Sequence, residues 1–189
     1  MTSRSVCNLL LFVCACVLAP CAFADLPGSS IYRLDVPLVD QDGRAFAFAE
    51  RAGKPQLVSM FYTSCPYVCP LVIETLKKTQ AALTPEQRAK LAVLLVSFDP
   101  DRDTPARLGS VFDQRHLDRS TWTLARTDAK NVRKFAAVLD IQFRALATGD
   151  INHTSAIVLL AADGTILART EKLGEADPEF VAAIGHALR

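Results

Sequence analysis

Two cysteines, Cys65 and Cys69, lie in the stretch Phe61-Tyr62-Thr63-Ser64-Cys65-Pro66-Tyr67-Val68-Cys69-Pro70, behind the apolar run Leu57-Val58-Ser59-Met60. A strand exit followed by a helix entrance is a place where partial positive charge favours thiolates. A thiolate serves either as a nucleophile or as a soft-metal ligand. The spacing sets the second sulfur about one helical turn from the first, so the two can converge on a common atom as well as on each other. As a redox pair, Cys65 would attack and Cys69 resolve; as a metal pair, the two would be an open site in want of a third ligand.

Three histidines are candidates for that third position. His116 ends a helical segment beside Arg115 and Asp118, and His186 lies near the C-terminus, so both read as helix-end or surface residues. His153, in Ile151-Asn152-His153-Thr154, precedes the strand that opens a terminal hairpin. With Cys65 and Cys69 it completes a set of two sulfurs and one nitrogen. Such a set selects Cu(I) and also holds Cu(II), whereas structural zinc normally takes four protein ligands. A zinc enzyme with a vacant fourth position stays open, although no acid/base partner stands beside these residues.

The elements that must position these side chains occupy most of a 189-residue chain with 50% hydrophobic residues and a net charge of +1. Lys and Arg are scattered, with no basic tract interleaved with aromatics, which excludes a nucleic-acid partner recognised by charge. Residues 1–24 read as a cleavable signal peptide: Arg4, an apolar run over residues 9–19, then Ala22-Phe23-Ala24 before Asp25. The run is short for a spanning helix. An uncleaved anchor through residues 9–19 and lipidation at Cys21 are the alternatives. Removing the segment takes Cys7, Cys14, Cys16 and Cys21 with it and leaves the single pair, in a periplasmic or secreted protein. A domain of the remaining length needs no disulfide to hold its core, so the pair reads as redox or metal chemistry.

A linker over residues 25–30 leads into one domain, residues 31–189. Tyr32 to Asp40 and Ala45 to Phe48, alternating about Asp42-Gly43, predict a hairpin. Gln56 to Tyr62 and Leu91 to Phe98 predict strands buried on both faces. Between them Pro70 is taken to open a helix through Leu83 that ends at Thr84-Pro85. This strand, helix, strand order implies a right-handed parallel crossover. In Asp99-Pro100-Asp101-Arg102-Asp103-Thr104-Pro105, Thr104 and Pro105 give a helix start, and the segment is read mainly as a turn with a cap, with a contact near the site as the minor reading. Thr121 to Ala125 predicts a strand and Asp128 caps a helix; Gln142 to Leu146 is ambiguous. Thr154 to Leu160, a turn at Asp163-Gly164, Thr165 to Arg169 and a helix opened by Pro178 close the chain. The fold class is α/β and thioredoxin-like: a mixed central sheet flanked by helices, with an N-terminal β-hairpin and a C-terminal β-hairpin plus helix. That fold places His153 facing the cysteine pair.

Thr63-Ser64-Cys65-Pro66-Tyr67-Val68-Cys69-Pro70, Val96-Ser97-Phe98-Asp99-Pro100-Asp101-Arg102-Asp103-Thr104-Pro105 and His153-Thr154-Ser155, followed by the Asp163-Gly164 hairpin, resemble the Sco/SenC family in order and spacing. The resemblance implies a thioredoxin-like fold that binds copper through Cys65, Cys69 and His153. It implies delivery of copper to the dinuclear site of a cytochrome c oxidase subunit, or reduction of that site's cysteines. Partners would be such a copper-accepting protein, another copper chaperone or a thiol-disulfide protein. The chain departs from the family's usual motif at Tyr67, where many members carry Asp.

Overall fold

The computed structural model describes residues 26–189, so the signal segment and its four cysteines lie outside the described residues. The first strands, β1 (Pro37–Asp40) and β2 (Ala45–Ala47), pair antiparallel about Asp42-Gly43. Gly43 sits at φ +78, and the Asp40 carboxylate accepts the N–H groups of Asp42 and Arg44 across the turn. Next come β3 (Gln56–Phe61), whose every residue is buried, and α1 (Val68–Ala81).

The helix therefore begins two residues before Pro70 and takes Cys69 into its first turn. A proline is tolerated there because the first N–H groups of a helix have no intrahelical acceptor to lose. Thr84-Pro85 does more than end α1: Thr84 caps a further short helix, α2 (Pro85–Lys90), with a reciprocal Gln87 contact.

β4 (Ala92–Ser97) leads to the Asp99 segment and to α3 (Pro105–Gln114), capped by Thr104 as expected. β5 (Trp122–Arg126) precedes α4 (Ala129–Val138), which Asp128 caps. The ambiguous stretch becomes β6 (Phe143–Ala145), paired antiparallel with β7 (Ile151–His153) in a separate two-stranded ribbon. His153 thus ends β7 instead of standing at the foot of the next strand, and β8 (Ile157–Leu160) starts three residues later than the apolar pattern suggested. β9 (Ile166–Thr170) and α5 (Pro178–Ala187) complete the fold.

The main sheet has seven strands in the order β2-β1-β5-β4-β3-β8-β9. β3, β4 and β5 run parallel, β8 pairs antiparallel with β3, and the N-terminal hairpin joins the far side through β1 on β5. The sheet is the mixed, helix-flanked one expected of a thioredoxin-like fold: α1 packs on β3, α3 on β5 and α5 on β9. Leu57, Val58, Val93, Leu94, Leu95 and Leu124 have no exposed surface, as continuous apolar strands with parallel neighbours require. No helix among the described residues is long and apolar enough to cross a membrane.

The chain entering the domain is tied down at the turn between β8 and β9. Ser30 is buried, and the Ile31 N–H donates to the Gly164 carbonyl at 3.0 Å. Gly164 has φ +82, and a Cβ there would run into the Tyr32 ring and the Ser30 hydroxyl. Gly164→Ala combines backbone strain with overpacking. It should cost about 2–4 kcal/mol, read as a lower denaturation midpoint at an unchanged slope.

Candidate metal centre

The C-terminal end of β3 delivers the two cysteines, the loop after β4 packs against them, and β7 brings the histidine. Cys65 lies in the loop leaving β3, half-buried, and its sulfur receives the Cys69 N–H at 3.4 Å. The residue before the helix, Tyr67, makes no side-chain cap and is 79% exposed. Cys65 thereby takes the helix donor that a capping Asp at position 67 would claim. Burial alone would raise the Cys65 pKa. The backbone N–H groups of Cys69, Tyr67 and Val68, with the Cys69 thiol, outweigh it and leave the thiol below its ordinary value.

Cys69 points the other way, into the core, with 2% exposure. Its sulfur accepts the Tyr62 N–H at 3.3 Å. Burial pushes its pKa well up, and the neighbouring Cys65 and Asp103 add to the rise. The pair is therefore asymmetric, with one accessible thiol inclined to ionise and one buried thiol inclined to keep its proton.

His153 meets them from β7. Its Nε2 lies 4.0 Å from the Cys69 sulfur, and its Nδ1 lies 3.1 Å from the Thr154 carbonyl oxygen. A carbonyl only accepts, so Nδ1 carries the proton and Nε2 turns its lone pair to the thiols. This is the second-partner arrangement typical of metal-binding imidazoles. Burial lowers the His153 pKa, the Thr154 bond opposing it in part, which favours the neutral ring that a metal needs. Phe98 lies against the imidazole at 4.7 Å between ring centres, with Tyr62 edge-on at 6.1 Å.

The donor atoms of Cys65, Cys69 and His153 all lie within 4.8 Å of one another. Cys65 and His153 border a cleft of about 250 Å³ walled by Tyr62, Pro66, Tyr67 and Ile151. Two thiols and one imidazole at this separation can hold a soft metal after small shifts, and the cleft leaves room for an exchanging ligand. His116 and His186 are exposed, as expected of helix-end residues, and neither joins the group of converging donor atoms. A larger cleft, about 550 Å³, opens elsewhere beside Arg44 and Arg119, but no thiol or imidazole lines it.

Sequence reasoning gave Asp103 too little weight. Thr104 alone accounts for the cap, whereas Asp103 is wholly buried and its carboxylate accepts the Thr63 N–H, the Thr63 hydroxyl and the Ser97 hydroxyl. It bolts the loop after β4 to the cysteine loop, so the contact reading, earlier the minor one, also holds. The available signal was an acid beside a cap that did not need it. In metal-free protein, iodoacetamide should modify Cys65 well before Cys69 near neutral pH. Tyr67→Asp should slow the Cys65 reaction by adding a negative charge and competing for the Cys69 N–H, as mass spectrometry of the two peptides would register.

Known proteins resemble this chain in sequence and in fold. The SCO1/SenC family profile matches residues 28–188. A Stutzerimonas stutzeri protein named for copper binding is 24% identical over 133 residues, covering 68% of this chain and 64% of the relative. A SCO2-like protein of Rickettsia felis is 27% identical over 140 residues, covering 70% and 66%. The chain thus spans just under two thirds of the length of these curated relatives. The solved structure of Bradyrhizobium japonicum ScoI with copper bound superposes with a TM-score of 0.69 at 25% identity, covering 82% of this chain and 98% of that one. Because that profile matches nearly the whole of the described chain, the chain belongs to the SCO1/SenC family.

Proposed function

We propose that this protein is a periplasmic or secreted copper carrier that holds one copper ion through Cys65, Cys69 and His153. It would pass the ion by ligand exchange to a copper-accepting protein, such as the dinuclear copper site of a cytochrome c oxidase subunit. The observation that carries the reading is the convergence of three donor atoms within 4.8 Å, with the imidazole lone pair already turned inward. Thiolates and imidazole favour copper over the harder cations, and three ligands are one short of a structural zinc site. The copper-bound ScoI structure supports the same cargo. The open cleft beside Cys65 suits transfer, because an incoming thiolate can reach the metal before the buried Cys69 lets go.

The asymmetry of the thiols favours a second reading, a thiol-disulfide oxidoreductase. The Cys65 thiolate would attack one sulfur of a partner disulfide, forming a mixed disulfide and releasing one partner thiolate. Cys69, losing its proton, would then attack the Cys65 sulfur and release the second. The partner gains two electrons and this protein ends with a Cys65–Cys69 disulfide. Copper binding needs both sulfurs reduced, so the redox state of the pair decides which activity is available.

The purified domain should bind one equivalent of copper when reduced and lose that binding when the pair is oxidised. Cu(II) should give a thiolate charge-transfer band. His153→Ala should weaken binding by at least about 10-fold, the scale already reached when an outer partner of a metal-binding histidine is lost. Wild-type affinity in that variant would refute the site. Rapid disulfide exchange with negligible copper affinity would instead favour the oxidoreductase. Because the Cys69 proton must leave, affinity should rise as pH rises through the neutral range and fall on acidification.

A further inference from the structure

The ribbon that carries His153 is poorly supported by itself. β6 and β7 share three residue pairs, and every residue from Arg144 to Asp150 is exposed. A two-stranded ribbon of this kind is marginal alone. Phe143 and Ile151 are its half-buried apolar residues, Phe143 resting on Phe98 at 5.2 Å between ring centres. The Ile151 N–H donates to the Tyr62 hydroxyl at a long 3.4 Å. At the tip, residues 146–150, one hydrogen bond among the described residues comes from outside the ribbon: an Nη2 hydrogen of Arg102 to the Gly149 carbonyl, 2.6 Å.

Arg102 is itself held in place. Its Nε donates to the Asp99 carboxylate, which is largely buried, so the guanidinium fork is aligned before it reaches Gly149. Asp99 is fixed in turn: its N–H donates to the Ser97 hydroxyl at 2.9 Å, and its carbonyl accepts the N–H groups of Arg102 and Asp103. Gly149 stands at φ +85, a conformation open to glycine at little cost, and its carbonyl is the one Arg102 takes. One short loop thus grips both halves of the metal centre, Asp103 holding the cysteine loop and Arg102 the histidine ribbon.

We infer that Arg102 is a positioning residue for His153: aligned by Asp99, it anchors the Gly149 turn and so keeps the imidazole over the cysteine pair. The inference rests on the metal reading of that pair. It assigns to the Asp99 to Asp103 loop a role in setting how much the histidine contributes to binding, separate from the helix cap that Thr104 provides.

The test compares Arg102→Gln in the wild-type and His153→Ala backgrounds. In the first, copper affinity should fall about 3–10-fold, below the roughly 10–100-fold usual for outer-sphere partners because Arg102 is partly exposed to water. In the second it should not change, since the imidazole being positioned is gone. Amide hydrogen exchange of metal-free Arg102→Gln should be faster over residues 146–153 and unchanged over β3, β4 and β5. Asp99→Asn, which keeps Arg102 but removes the charge that aligns it, should act in the same direction with a smaller effect. An equal affinity loss in both backgrounds, or unchanged exchange over residues 146–153, would overturn the assignment. If the wild-type protein binds no copper, the metal reading fails first. The anchoring role is then judged on the exchange of the ribbon alone: selective acceleration there upholds it, and unaltered exchange removes it.

Discussion

Asp103 brings a carboxylate into a position with no solvent exposure and no ion pair among the described residues, a placement that costs several kcal/mol unless donors surround the group. Three do: the Thr63 N–H, the Thr63 hydroxyl and the Ser97 hydroxyl. Because Thr63 lies two residues before Cys65 and Ser97 ends β4, meeting that requirement sets the cysteine loop at one distance from the central sheet. The same carboxylate helps to keep the Cys69 thiol protonated. Burial makes the larger contribution to the contrast between the two sulfurs, and the Asp103 charge adds to it.

From that fixed point the site is assembled outward with decreasing rigidity. Cys69 is sealed in the first turn of α1, Cys65 sits half-exposed on the donors of the same turn, and His153 arrives on a ribbon whose tip is in water. A carrier benefits from such a gradient. In the proposed carrier the buried thiol would retain the ion, the half-buried Cys65 thiol would admit a competing ligand, and the histidine would be the ligand carried on the least supported element. The affinity of a carrier must be high enough to load and low enough to unload, and the most adjustable ligand is the one whose support is thinnest.

Much of this was legible in the chain because residue type and spacing carry it. A strand-exit cysteine pair, a continuous apolar β4 and a Thr-Pro cap each have a local signature, and the strand, helix, strand order implied the parallel pairing of β3 with β4. What was not legible has a physical reason in each case. The start of α1 was placed at Pro70 because proline suits the first helical position, yet the third position tolerates it as well, having no intrahelical bond to lose. β6 and β7 have three residues each and lie mostly in solvent, so no alternating apolar pattern marks them. His153 was recognised as a ligand candidate while its true seat, the end of β7, was not. Asp103 and Arg102 act through contacts with residues 40 and 47 positions away, which no local pattern encodes. Tyr67, conspicuous as a departure from the motif, turns out to stand in solvent at the helix start, where its failure to cap frees a donor for Cys65.

The claim on which the rest depends is that two sulfurs and one imidazole nitrogen hold the same ion. Copper-edge X-ray absorption of the reduced protein loaded with one equivalent counts those atoms directly. The expected spectrum has two sulfur scatterers and one nitrogen scatterer with the outer-ring signature of imidazole, and that signature is lost in His153→Ala. A first sphere of sulfur alone, or one of oxygen and nitrogen without sulfur, would contradict the account.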